Sequence, residues 1–164
     1  MHSVSPLAGR LPPGVHGRAD GTPGVTLVER GGLAAASIAL RAGQATSLAT
    51  ALREGFGLDL PARPGCAVAG ALELVWAGPG QWLALDAGRD GIARFAFASE
   101  LAMQLGATAS VTDLTGARAV LRLSGPSARD TLSKLVPIDL DESVFPGGAA
   151  ALTMASHVGV MLWR

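Results

Sequence analysis

His157 is the one histidine in the part of the chain that carries folding periodicity, since His2 and His16 fall among the prolines and glycines of the first two dozen residues. Any Ser-His-Asp set would rest on that single imidazole, and no second histidine stands at metal-ligand spacing. A strand or turn histidine is the simpler reading than a general base. Cys66 is the only cysteine, so it can neither close an intrachain disulfide nor join a thiolate cluster. It follows Pro64-Gly65 at a strand entrance, with Arg63 near enough in sequence to lower a thiol pKa. Against that stands its reading as a small buried hydrophobe, which is preferred.

The glycine-rich spots lack the spacing of a phosphate loop, which needs backbone N–H groups aimed at an anion from the start of a helix. Gly78-Pro79-Gly80 joins two strands, and Gly147-Gly148 follows Pro146 at a strand entrance. Ser124-Gly125-Pro126-Ser127 does open a helix, but Pro126 removes one donor and plain capping accounts for the rest. Asp139, Asp141 and Glu142 share one loop without the ligand intervals of a calcium site, which makes them a solvated acidic loop. Arg118 and Arg122 lie on one strand face, where they could grip an anion or the carboxylates of a partner. Trp76, Trp82 and Trp163 belong to a chain with no tyrosine, and tryptophan serves both cores and interface hot spots.

These residues need a frame, and the composition supplies one. At 164 residues, 49% hydrophobic and 16% charged, the chain has the size and apolar content for one core. Thirteen basic and 13 acidic residues balance, with no basic run to neutralise a row of phosphates, so nucleic acid is not an expected partner. The N-terminus has no apolar run of signal-peptide length, and a reducing cytoplasm fits the cysteine count. Ser143 to Trp163 is free of charge and long enough for a membrane span, but Pro146-Gly147-Gly148 and His157 argue against one.

The elements follow from periodicity. Residues 1–24 read as a flexible arm, and 25–164 as a single α+β domain with sub-units at 33–113 and 117–164. Ala34, Ala36, Ile38 and Leu40 alternate as a strand; Ala45, Leu48, Ala49, Leu52 and Phe56 follow helical spacing, with Gly55 and Gly57 as the stop. Leu72, Leu74 and Trp76 form one face of a strand that turns at Gly78-Pro79-Gly80 into Trp82 to Leu85. Asp90 is expected to cap a helix carrying Ile92, Phe95, Ala98, Ala102 and Leu105, followed by a strand at Thr108 to Asp113. This β-α-β-β-α-β order predicts a ferredoxin-like plait.

A partial second plait follows. Ala117, Ala119, Leu121 and Leu123 alternate as a strand, Pro126 starts a helix with Ala128, Leu132, Leu135 and Val136 on its buried stripe, and Pro137 ends it. Leu152, Met154, Val158, Val160 and Leu162 occupy even positions of one long strand or, preferably, a hairpin bent near His157. A plait without its last helix and strand would read as truncated and leave its final apolar strand open as a contact surface.

Several blocks also match a family pattern: Pro6-Leu7-Ala8, Gly78-Pro79 to Leu85 with Trp82, Asp113-Leu114, Arg118 to Pro126, Ala128-Arg129-Asp130, Asp139-Leu140, Phe145-Pro146, and Ala155 to Arg164. In order and gaps they resemble the gamma subunit family of heterotetrameric sarcosine oxidase. Leu123 to Ala128, Leu132, Asp139 and Pro146-Gly147 are also similar to the aminomethyltransferase, or glycine-cleavage T-protein, superfamily of folate-binding proteins. That superfamily places a functional aspartate on the strand that here reads His157 to Leu162, where no acid occurs.

The resemblance implies a non-catalytic subunit of a complex of alpha, beta, gamma and delta chains that oxidatively demethylates sarcosine to glycine and passes the one-carbon unit to tetrahydrofolate. FAD, FMN, NAD and tetrahydrofolate would belong to the partner subunits and none to this chain, which would dock on the alpha subunit. Related complexes act on dimethylglycine or N-methylglutamate. Candidate interface residues are Trp82, Arg118, Arg122, Phe145 and Trp163. The alternatives are a stand-alone tetrahydrofolate-binding aminomethyltransferase-like protein, or a small-molecule sensor that self-associates through its sheet with Arg118 and Arg122 as anion contacts.

Overall fold

Alternating apolar residues pair into strands, and the computed structural model describes residues 7–12, 14–15 and 21–164. His2, Pro6, His16 and part of the expected arm lie outside the described residues. The elements run β1 (Thr26–Glu29), β2 (Ala34–Leu40), α1 (Ala45–Phe56), β3 (Cys66–Ala69), β4 (Leu72–Gly78), β5 (Gln81–Asp86), a 3₁₀ segment (Gly91–Ala96), α2 (Phe97–Leu105), β6 (Ala109–Asp113), β7 (Leu121–Ser124), α3 (Ala128–Leu132), β8 (Ala150–Ala155) and β9 (Val158–Trp163).

The main sheet has the strand order β3-β4-β5-β2-β6, antiparallel throughout. Without its edge strand β3, this is the expected β-α-β-β-α-β plait, with β2 at its centre between β5 and β6. Two opposite faces of β2 are buried. Ala34, Ala36 and Ile38 meet Leu48 and Leu52 of α1, Leu74 of β4 and Leu101 of α2. Each leucine so enclosed stabilises the fold by roughly 1.5–3 kcal/mol, so this helix-covered layer outweighs any single polar contact. Helix α1 ends at Gly57, in the left-handed region at φ 66°, with the Gly57 N–H returned to the Arg53 carbonyl and the Leu58 N–H to that of Leu52.

The second helix departs from expectation in phase. Asp90 makes no side-chain cap, and residues 91–96 wind as a 3₁₀ segment before α2 begins. The tighter turn rotates the chain, so that Phe97, Ala98, Leu101 and Leu105 face the core while Ile92, Phe95 and Ala102 point outward.

The opposite sheet face is covered too. Ala35, Val75, Leu83 and Leu85 pack against Ala150 of β8 and Met161 and Trp163 of β9. The last strand is therefore docked on the sheet rather than left open, and Leu162 on its other side meets the layer of Val136, Leu140 and Phe145. The charge-free stretch from Ser143 to Trp163 contains a hairpin, β8 and β9 paired from Ala150↔Trp163 to Ala155↔Val158. Among the described residues no helix is long and apolar enough to cross a membrane.

In the second half the order β-α-β-β is present, with the strands divided between two ribbons. β7 pairs with β1, in the register Thr26↔Ser124 to Glu29↔Leu121. The strand expected from Ala117 begins at Leu121, and its expected apolar side is not buried as a unit: Ala117, Ala119 and Leu121 are exposed and Leu123 half-buried, while Val120 is the buried residue. The helix after Pro126 spans only Ala128–Leu132, which leaves Leu135 exposed and Val136 buried. Its short length reflects the demand of the following loop, whose Val136, Leu140 and Phe145 must fold back under β8 and β9.

Candidate functional site

On the sheet face opposite the helices three separate pieces of backbone meet, and one carboxylate joins them. Glu73 of β4 accepts from Nη1 of Arg30, at 3.0 and 3.2 Å to its two oxygens, and from Nε1 of Trp163 at 3.3 Å. Arg30 follows β1, and its N–H donates to the Val120 carbonyl beside β7 at 2.8 Å. Trp163 closes β9. The β1–β7 ribbon and the β8–β9 hairpin are thus both fastened to the main sheet through Glu73, in a partly buried setting where a charged hydrogen bond gains strength.

The five candidate interface residues separate into two groups. Trp82 is 4% exposed, packed among Ile38, Leu74 and the helices, and its Nε1–H donates to the Pro61 carbonyl at 2.8 Å. Phe145 sits with Val136 and Leu140 beneath Leu162. Both are corrections: their side chains are spent on the core and have no surface to offer. Trp163 is partly buried, held by Glu73 and packed on the sheet. Arg118 and Arg122 are exposed, and their side chains make no hydrogen bond or ion pair among the described residues. They do not share one strand face, because Arg118 precedes β7 in irregular backbone whereas Arg122 stands opposite Val28 in the ribbon.

The groups that could do chemistry are dispersed. His157 is exposed at the hairpin turn, next to Ser156, whose φ of 54° makes it the one described non-glycine residue in the left-handed region. Burial, and after it the nearby Glu73 carboxylate, push the Cys66 thiol above its ordinary range, and its Sγ approaches the Arg164 carbonyl at 3.5 Å. Raising the thiol pKa disfavours the nucleophilic thiolate, opposite to the lowering expected from Arg63, and the side chain is half-buried against Ala35, Val75, Leu83 and Leu85 rather than fully enclosed.

The acidic loop is occupied with its own backbone. Asp139 accepts from the Asp141 N–H at 2.8 Å, and Asp141 from the N–H and hydroxyl of Ser143 at 2.9 and 2.6 Å. The Ser143 hydroxyl is the main cause holding Asp141 below its ordinary range, and the Arg164 guanidinium at 2.9 Å does the same for Glu142. Among the described residues no group of three or more His, Cys, Asp or Glu could hold a metal ion. At Ser124 to Ser127 the amides are likewise engaged, Ser127 N–H with the Gly24 carbonyl and Ala128 N–H with that of Gly125.

What the surface offers instead is contact. Leu27, Val28 and Leu121 of the ribbon, and Leu152, Met154 and Val158 of the hairpin, are exposed large hydrophobics. Two clefts flank Arg118. One, of about 310 Å³, lies between the Glu29–Leu33 turn, Arg94 and Phe95, and the segment from Thr115 to Val120. The other, of about 380 Å³, opens where the hairpin splays from the sheet, between Leu83 and Met161. Sequence reasoning missed Glu73, Arg30 and Arg94. The signal for Glu73 was a lone acid in the strongly apolar run Leu72 to Trp76, on the side of the strand shared with Val75.

Comparison with known proteins adds a second kind of observation. The model of the sarcosine oxidase gamma subunit family matches residues 41–162. The sarcosine oxidase subunit gamma of Arthrobacter sp. is 36% identical over 134 residues, covering 79% of this chain and 63% of that one. The subunit gamma of Corynebacterium sp. (strain P-1) is 36% identical over 135 residues with the same coverage. The chain therefore spans less than two-thirds of the length of these relatives. Among solved structures, a chain of the heterotetrameric sarcosine oxidase of Corynebacterium sp. U-96, in complex with pyrrole 2-carboxylate, superposes with a TM-score of 0.71 at 30% identity, covering 85% of this chain and 70% of that one.

Proposed function

This chain belongs to the sarcosine oxidase gamma subunit family, and from that membership we propose that it is a non-catalytic subunit of a heterotetrameric sarcosine oxidase-type complex. The observation that carries the proposal is the match of residues 41–162 to that family model. The dispersal of its titratable groups supports the same reading, since an acid–base set must converge within hydrogen-bond reach. So do the exposed apolar side chains of two ribbons that a second protein could cover.

In this proposal the chain docks on the alpha subunit in the cytoplasm, within an assembly that also holds beta and delta subunits. The partners carry FAD, FMN, NAD and tetrahydrofolate, and they perform the oxidative demethylation of sarcosine to glycine with transfer of the one-carbon unit to tetrahydrofolate. This chain contributes surface and no catalytic residue.

The test is co-expression of the chain with an affinity-tagged alpha subunit, followed by size-exclusion chromatography. Co-elution at fixed stoichiometry, lost when either chain is omitted, is the expected result. A stable monomer that ignores the alpha subunit would overturn the reading. Titration calorimetry of the isolated chain with tetrahydrofolate supplies the contrast, because submillimolar binding would favour a stand-alone folate-binding protein instead.

A further inference from the structure

We propose that the cleft beside the Glu29–Leu33 turn receives an acidic segment of the partner subunit, its carboxylate held by Arg94 and Arg118 and a neighbouring apolar side chain laid on Ile92 and Phe95. This inference rests on the subunit reading and assigns a place and a chemistry to the docking.

The two guanidiniums reach the cleft from different elements, and neither forms an ion pair among the described residues. Arg94 donates Nε–H to the Gly91 carbonyl at 3.1 Å and stands 5.5 Å over the ring of Phe95, so its remaining N–H groups are uncommitted. The Arg118 side chain makes no hydrogen bond or ion pair among the described residues. Neighbouring arginines differ in this respect: Arg30 is held by Glu73, and Arg89 by Asp86 and Glu100. Glu29 also lines the cleft and has an interaction of its own, so two guanidiniums without an ion pair stand beside one carboxylate. A carboxylate entering here would meet two planar donors suited to bidentate pairing.

The walls suit a side chain rather than a cofactor. About 310 Å³ stands at the bottom of the range of small-molecule sites, too little for a flavin or a dinucleotide. Gly32 at φ 79° and Gly116 at φ 84° keep the mouth bare, and a Cβ at Gly32 would come within 4.0 Å of Nη1 of Arg94. The floor is formed by Ala35 and Leu85, both buried.

Beside the cleft, Ile92 is 88% and Phe95 49% exposed, because the 3₁₀ segment turns them away from the core. An aromatic and two arginines lining one depression, with an exposed aliphatic three residues before the aromatic on the same 3₁₀ segment, have the composition of an interface hot spot. Charge complementarity selects the occupant: a partner segment of acidic and apolar residues satisfies both halves, whereas a basic or wholly apolar one would leave the guanidiniums unpaired.

The experiment measures association of the full chain with the alpha subunit. Wild-type chain, Arg94→Glu/Arg118→Glu, Arg94→Gln/Arg118→Gln and the control Arg63→Glu, each verified by an unchanged melting temperature, are titrated against the alpha subunit at low and high salt. Failure of the wild-type chain to bind would overturn the subunit reading itself. With wild-type binding intact, the charge reversal should weaken association by about tenfold or more, the glutamine pair by less. Arg63→Glu should have no effect, and added salt should weaken wild type more than either double variant. Equal binding by wild type and the charge reversal, or an equal loss in Arg63→Glu, would overturn the assignment. So would normal assembly of the double variants combined with loss of the thermal stabilisation that a succinate probe gives wild type, since that pattern marks a site for a free anion.

Discussion

At the scale of single residues, Gly125 does more through what it lacks than most side chains do through contact. Its φ is 111°, and a Cβ placed there would lie 2.5 Å from the Gly24 carbonyl oxygen and 3.2 Å from the Val25 Cα. The lead-in to β1 crosses β7 at that point, and Ser127 N–H locks the crossing on the Gly24 carbonyl at 2.9 Å. Gly125→Ala is expected to destabilise the chain by more than about 2 kcal/mol, because backbone strain and a backbone clash add. Gly116→Ala, also at positive φ but with nothing within 4 Å, carries only the strain of about 1–2 kcal/mol. Denaturant midpoints compare the two, and equal losses would contradict the crossing as the cause. Cys66 invites a different measurement. Burial and Glu73 raise its pKa, so a smaller thiolate fraction is present at neutral pH than in a free thiol. Iodoacetamide should alkylate the folded chain several-fold more slowly than glutathione, and unfolding in guanidinium should remove the difference.

Among the elements, the two ribbons share Glu73 as one polar tie to the sheet, beside the apolar packing of Ala150, Met161 and Trp163 and the bond from the Cys66 N–H to the Gly148 carbonyl. Replacement of Glu73 by alanine removes the partner of Arg30 and an acceptor for Trp163, both partly buried, and should cost about 1–3 kcal/mol. Arg30→Met combined with Glu73→Ala should cost less than the two single losses together, which a double-mutant cycle reads from urea denaturation; strict additivity would mean that the pair contributes nothing. How much of this could be read in the sequence follows from what each element buries. The strand Ala34 to Leu40 and the helix Ala45 to Phe56 bury one clear stripe each, and periodicity found both. The helix after Asp90 was found but mis-phased, since a 3₁₀ lead-in leaves no mark in a 3.6-residue count. Even positions of β8 and β9 suggested one apolar face. A two-residue turn pairs Ala155 with Val158, so that Leu152 and Met154 lie on one side of the hairpin and Val158, Val160 and Leu162 on the other. The β1–β7 pairing joins segments more than 90 residues apart in sequence and involves only four residue pairs, too short for any pattern to register. Glu73, Arg30 and Trp163 likewise meet only through tertiary structure, which no spacing rule encodes.

Across the whole molecule, stability should be graded from centre to rim, and docking should change the rim alone. The five-stranded sheet is covered by helices on one face and by the hairpin on the other, and its central strand buries residues of both faces. The β1–β7 ribbon has two strands of four residues with Leu27, Val28 and Leu121 exposed. A two-stranded ribbon is marginal in water without further packing. It is held mainly by Arg30, the Gly24 crossing and the buried Val120. Native-state hydrogen exchange should therefore show the paired amides of β2 and β5 exchanging only through global unfolding, while those of Thr26–Glu29 and Leu121–Ser124 open locally at much lower free energy. Addition of the alpha subunit should slow exchange in the ribbon and beside Ile92 and Phe95, and leave the already protected sheet unchanged. Equal protection of ribbon and sheet in the free chain would show that the ribbon is self-sufficient. Slowed exchange confined to other surfaces would place the partner elsewhere, because a segment that covers apolar side chains and orders a short ladder must protect the amides beneath it.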